Sequence, residues 1–151
     1  MQKTLVLCKP DALQRRLVGV ILTRLEQKGL QLVAAKMLRP DRALAERHYA
    51  VHRGKPFYES LLRFITSGPT LAMVWQGREA VQVVRALLGP TDGSKAPPGT
   101  IRGDFALSVQ NNLVHASDSP ETAEHEIALW FRPEELVHWE ACDGEWIGST
   151  G

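Results

Sequence analysis

Five consecutive apolar residues, Leu71-Ala72-Met73-Val74-Trp75, follow the turn signal Ser67-Gly68-Pro69. A strand with one wet face alternates apolar and polar residues. A run without alternation reads as a strand covered on both faces, at the centre of a sheet. The rest of the chain has to be arranged around that strand.

Thr4–Cys8 is a second short, β-favouring run, stopped by Pro10, and Leu30–Leu38 is a third, ended by Pro40. Between them Val18, Ile21, Leu22 and Leu25 recur at helical spacing, and Gly29 supplies a helix stop after Lys28. Asp41 is placed to cap a helix from Arg42 to His52 with Leu44, Ala45 and His48 on one face. Gly54-Lys55-Pro56 breaks it, and Phe57–Ile65 resumes as a short helix. Arg78–Leu88 reads as a helix stopped by Gly89-Pro90. Asn112–Ser117 reads as a last strand, and Ser119-Pro120 as the start of a helix running to Phe131. Pro133–Trp139 reads as a final short helix, and Ala141–Gly151 as an irregular tail anchored by Trp146 and Ile147. The segment Thr91–Gly103, with Asp92-Gly93, Pro97-Pro98-Gly99 and Arg102-Gly103, is an unusually long apolar-poor loop, and such loops usually serve function. The element order predicts a β-α-β-β-α-β sandwich: a four-stranded antiparallel sheet with helices on one face, the helical pair from Asp41 to Ile65 joining the second and third strands.

At 151 residues the chain predicts one domain, 1–151, large enough for a core without disulfides or metal staples. Hydrophobic residues are 44% and charged residues 23%, which excludes a disordered chain. A formal net charge of +1 argues against binding nucleic acid by bulk charge, while leaving room for a local cation cluster aimed at a small anion. Cys8 and Cys142 are the two cysteines and form no C-x-x-C pair, so neither a disulfide framework nor a zinc site is expected, and a reducing cytosol suits them. With no apolar run near the ~18 residues of a membrane span, the expectation is a cytoplasmic protein without a membrane partner.

No glycine-rich phosphate loop occurs, so any bound phosphate must be held by side chains. Arg85 sits on or beside the stripe Val81, Val84, Leu88. It reads either as a snorkelling surface arginine or as a guanidinium turned inward for an anion. Lys9 closes a strand and Arg102 lies in the long loop; each is a solvated cation or a ligand to an anion. His48, His52, His125 and His138 lie on helices among polar neighbours and read as solvated. His115, in Asn112-Leu113-Val114-His115-Ala116-Ser117, lies where a strand ends and a helix begins. It reads as a core histidine or as a nucleophile. The helix from Pro120 can bring Glu126 back to His115, with Ser117 bridging them, and a carboxylate so placed orients an imidazole for nucleophilic work. Phe57, after the Gly54-Lys55-Pro56 turn, is either core or a platform for a planar base, and Tyr49 has the same ambiguity.

Together Lys9-Pro10-Asp11, His52-Arg53-Gly54-Lys55-Pro56-Phe57, Ser67-Gly68-Pro69, Arg85…Gly89-Pro90-Thr91, Pro98-Gly99-Thr100-Ile101-Arg102 and Asn112–Asp118 resemble a nucleoside diphosphate kinase over nearly the whole chain. The resemblance implies an α+β, ferredoxin-like sandwich. It implies His115 as the residue that accepts phosphate, and Lys9, Arg85, Thr91, Arg102 and Asn112 as holders of phosphates and ribose. Phe57 would stack on the base, and Tyr49, Ser117 and Glu126 would position the histidine. The implied reaction passes the terminal phosphoryl group of a nucleoside triphosphate through His115 to a nucleoside diphosphate, by a ping-pong mechanism. Its implied cofactor is Mg2+, carried by the nucleotide rather than by a protein site. Its implied assembly is a homo-oligomer, a hexamer in preference to a tetramer. The fold alone also serves RNA recognition, but no aromatic pair suited to stacking RNA is visible on the strands, so no specific nucleic acid is expected. The sequence departs from the family at Gly93, where proline is usual and where glycine is expected to loosen the long loop, at Ala116, where glycine is common, and in the tail.

Overall fold

The computed structural model describes residues 1–148. In chain order the elements are β1 (Gln2–Cys8), α1 (Pro10–Gln14), α2 (Val18–Lys28), β2 (Gln31–Leu38), α3 (Arg42–His48), α4 (Tyr58–Thr66), β3 (Thr70–Gly77), α5 (Ala80–Leu88), α6 (Ile101–Phe105), β4 (Val114–Ala116), α7 (Pro120–Trp130) and α8 (Gly144–Ile147). The four strands form one sheet in the order β2-β3-β1-β4, with every neighbouring pair antiparallel. This is the expected ferredoxin-like β-α-β-β-α-β arrangement.

The helices cover both faces of the sheet, not one. Side chains alternate across a strand. Val6, Cys8, Met73 and Trp75 therefore pack with Ile21 and Leu25 of α2 and Val84 and Leu88 of α5. Leu5, Leu7, Ala72 and Val74 face the other way, onto Leu44 of α3 and Trp130 and Phe131 at the end of α7. The central pair β1–β3 is thus dry on both sides, which is why Leu71–Trp75 has no polar alternation. Each such Leu or Val contributes about 1.5–3 kcal/mol of burial.

Local chemistry explains several element ends. Asp41 accepts a hydrogen bond from the Leu44 backbone N–H, and Ser119 accepts one from that of Thr122. Gly29 closes α2 in the left-handed region at φ 105°. The helix expected to reach His52 ends at His48: Tyr49 leaves helical geometry at ψ 22°, and a 3-10 turn follows over Ala50–His52. The expected Arg78–Leu88 helix starts two residues later, at Ala80. Of the expected Pro133–Trp139 helix only Pro133–Glu135 is helical, as a 3-10 turn. The chain then runs along β2, with Val137 N–H donating to Val33 O and the Trp139 indole to Leu32 O. In the tail, Gly144–Ile147 forms one helical turn. Ile147 touches Gly29, but both it and Trp146 are exposed, so neither is a buried anchor. The last three residues of the expected tail lie outside the described residues.

The long loop is ordered. It contains a 3-10 turn over Gly93–Lys95 and the start of α6, whose first turn is capped by Thr100 Oγ1 accepting from Gly103 N–H at 2.9 Å. A Cβ at Gly103 would run into the Pro97 carbonyl, so this turn requires glycine. Gly93 does not loosen the segment. It is buried, donates its N–H to Ser108 O, and has Ala106 backbone atoms where a Cβ would stand.

Candidate active site

β4 is a three-residue strand at the edge of the sheet, paired with β1. His115 pairs with Leu7, so its ring shares Leu7's face, the one covered by α3 and α7. That register brings the ring to Glu126, two turns into α7. His115 Nε2 lies 3.0 and 3.1 Å from the two carboxylate oxygens. Ser117 Oγ donates to Glu126 Oε1 at 2.7 Å and also accepts from the buried Leu5 N–H. Glu126 is buried, which opposes its charge. The hydrogen bonds and charges of His115, His48 and Ser117 together outweigh that penalty and hold its carboxyl below the usual carboxylate range. An ionised carboxylate only accepts, so His115 donates through Nε2 and its Nδ1 lone pair is free.

The cations are organised around the loop before β4. Lys9 is buried at the end of β1; its ammonium donates to Asn112 Oδ1 and to Gln110 O, and lies 5.5 Å from the centre of the Phe64 ring. Burial depresses its pKa to about 8 despite the opposing attraction of Asp11. Asn112 Nδ2 in turn donates to Thr91 O at 2.9 Å, so Thr91 is engaged through its carbonyl while its side chain stays exposed. Arg102 donates to three carbonyls: Gly89 at 2.8 Å, Val114 at 2.6 Å and Asn112 at 3.3 Å. Burial and the neighbouring Arg85 lower its pKa to about 10, and it remains a cation at neutral pH. Arg85 is exposed at the C-terminal end of α5 and lines a small cavity with Arg102, Leu88, Gly89 and Ala116.

Leu113 joins the two halves of the site. It is fully buried at φ 76°, a conformation that costs a non-glycine residue about 1–3 kcal/mol. Asp11 Oδ2 accepts its N–H at 3.0 Å, and its carbonyl accepts the Lys9 backbone N–H at 2.9 Å. Asp11 and the end of β1 thus fix the backbone between Asn112 and His115.

Tyr49 is buried with its ring edge-on to His48 at 4.7 Å, and burial, with Glu126 and Asp11 adding to it, pushes the phenol up to about 12. Phe57 is half-exposed, 5.3 Å from the His52 ring and 5.8 Å from the Lys55 ammonium.

His48 corrects the sequence reading. Its side chain is 1% exposed rather than solvated, and its ring lies edge-on to His115 at 4.5 Å. The signal was its place beside Leu44 and Ala45 on the apolar face of α3. Trp130, which donates to His48 Nδ1 at 3.1 Å, and Asp11 were also not singled out for a role. His48, His115 and Glu126 bring one potential donor atom each within 4.8 Å of one another. Two imidazoles already committed to hydrogen bonds do not suit magnesium, which takes oxygen ligands.

The family model for nucleoside diphosphate kinase matches residues 2–136. The chain is 56% identical to the nucleoside diphosphate kinase of Archaeoglobus fulgidus over 147 residues, 97% of each chain, and 52% identical to that of Roseiflexus sp. over 97% of this chain and 99% of the relative. Among solved structures, a halophilic nucleoside diphosphate kinase from Halobacterium salinarum in complex with CDP superposes at a TM-score of 0.95, with 49% identity over 97% of both chains. A nucleoside diphosphate kinase family protein from Babesia bovis superposes at 0.94, with 48% identity over 97% of this chain and 99% of that one. These relatives place the chain among the phosphotransferases. It belongs to the nucleoside diphosphate kinase family.

Proposed function

We propose that this chain moves the terminal phosphoryl group of a nucleoside triphosphate, typically ATP, to a nucleoside diphosphate through a phosphohistidine at His115, and so maintains NTP and dNTP pools. The observation that carries the proposal is the two-oxygen grip of Glu126 on His115 Nε2, which leaves Nδ1 unprotonated and able to attack. In the first half-reaction the Nδ1 lone pair forms a bond to the terminal phosphorus. The bond from that phosphorus to the bridging oxygen breaks, and the diphosphate leaves with the electron pair. In the second half-reaction a terminal oxygen of another diphosphate attacks the phosphohistidine and His115 recovers its lone pair.

Phosphoryl transfer depends on positioning and charge neutralisation more than on covalent chemistry. Lys9, Arg85 and Arg102 supply positive charge. Asn112 and Thr91 hold phosphates and ribose, Phe57 stacks on the base, and Tyr49 and Ser117 act with Glu126 to place the imidazole. Arg102 is already pre-ordered by three carbonyls and Lys9 by Asn112, so little reorganisation is needed when a polyphosphate arrives. Mg2+ enters as part of the nucleotide substrate and keeps several waters. A stacking platform is indifferent to base identity, which supports broad nucleotide acceptance. Residues 1–151 act as one domain, in the cytoplasm, within a homo-oligomer for which a hexamer is favoured over a tetramer. No helix among the described residues is long and apolar enough to cross a membrane.

Steady-state kinetics with ATP and a series of diphosphates tests the proposal. Parallel double-reciprocal lines are expected, with similar kcat for purine and pyrimidine acceptors. Intersecting lines, which require both nucleotides bound at once, contradict it.

A further inference from the structure

His48 is buried between α3, α7 and β4 and has no place in the phosphoryl transfer as derived so far. Its Nδ1 accepts from the Trp130 indole N–H at 3.1 Å and lies 4.0 Å from Glu126 Oε2. Its Nε2 is buried without a partner. Indole nitrogen is a donor only, and a neutral imidazole carries one donor and one acceptor nitrogen. Trp130 therefore forces the His48 proton onto Nε2 and leaves a lone pair, not an N–H, on the nitrogen beside Glu126. With the other tautomer, His48 would donate to Oε2 after a small closure and compete with His115 for the same carboxylate.

We infer that Trp130 and His48 are positioning residues, the indole N–H locking His48 in its Nε2–H tautomer and thereby reserving Glu126 for His115. This rests on the reading of His115 as nucleophile. The groups facing His48 are His115 and Glu126, the Lys9 ammonium, His52 and the Tyr49 ring. Burial first, then His115 among these neighbours, holds its imidazolium down to about 3, so His48 stays neutral while the lock holds.

The test is histidine 15N NMR on the intact enzyme, paired with rapid-quench measurement of phosphoenzyme formation from ATP. In the wild type, His48 should give the Nε2–H pattern and no titration between about pH 5 and 8. In Trp130→Phe, His48 should take a proton on Nδ1 and titrate at least about one unit higher. Phosphoenzyme formation should slow about tenfold, because a neutral His48 that donates from Nδ1 competes for Glu126. Removing the competitor as well, in Trp130→Phe/His48→Phe, should restore most of the lost rate. If Trp130→Phe folds poorly, benzothienylalanine at position 130 keeps the ring shape without the N–H and should give the same shifts. An unchanged His48 tautomer in the variant, or a loss of rate that the double variant only deepens, overturns the inference. Failure of the nucleophile assignment shows separately, as a wild type that forms no phosphoenzyme whatever the NMR pattern.

Discussion

Both carboxylate oxygens of Glu126 lie within 3.1 Å of a single nitrogen of His115, while a buried serine donates to one of them. The geometry fixes ring orientation and tautomer together. Glu126→Gln replaces one acceptor oxygen by an NH2 donor and removes the charge that stabilises the ring as it becomes cationic. Phosphoenzyme formation, followed by rapid quench, should fall about 10–100-fold with little change in nucleotide Kd. A wild-type rate contradicts this role.

Ser117 has a second task, because its hydroxyl also accepts the buried Leu5 N–H. Ser117→Ala leaves that donor unpaired and should cost about 1–3 kcal/mol in urea denaturation, with a smaller kinetic loss than Glu126→Gln. Unchanged stability would mean that Leu5 finds another acceptor.

Lys9 predicts a pH dependence. Its pKa falls from an ordinary 10.5 to about 8, mainly through burial. Between those values the unfolded chain holds a proton that the folded chain has released, so this group's contribution makes stability rise with pH across that window. For binding the sign is opposite. A polyphosphate draws the proton back, so above about pH 8 nucleotide binding takes up a proton and weakens as pH rises. Calorimetry in two buffers of different ionisation enthalpy should detect the uptake. Lys9→Met should abolish it and weaken binding about tenfold or more.

Arg102 is a bridge as well as a charge. Lysine can satisfy at most part of the fork that now reaches Gly89, Asn112 and Val114. Arg102→Lys should lower stability by about 1–3 kcal/mol and raise KM for ATP, although formal charge is unchanged. Wild-type stability and KM would show that charge alone matters there.

Much of this was legible in the sequence, for identifiable reasons. Leu71–Trp75 announced a central strand because apolar pattern reports burial directly. It did not say what covered each face, since a run without alternation is silent about which layer lies where, and the helices proved to flank the sheet on both sides. The Asp41 and Ser119 caps were readable because capping is local. Helix α6 was hidden in a segment rich in glycine and proline, where a tertiary contact, Gly103 against Pro97, decides the conformation. The pairing of His115 with Glu126 could be anticipated from strand–turn–helix spacing. The burial of His48 and its hydrogen bond to Trp130 depend on how α3 meets α7, 82 residues apart in sequence, which no local pattern encodes.

The most direct measurement is the site of phosphate on the enzyme. Wild-type protein incubated with γ-labelled ATP should carry close to one phosphate per chain, stable in alkali and lost in acid, on Nδ1 of His115 by 31P NMR and peptide mapping. Adding any nucleoside diphosphate should discharge it. His115→Ala should fold, bind nucleotide and carry no label, with turnover down by at least about 10⁴-fold. Label on another residue, or turnover by His115→Ala near the wild-type rate, contradicts the account.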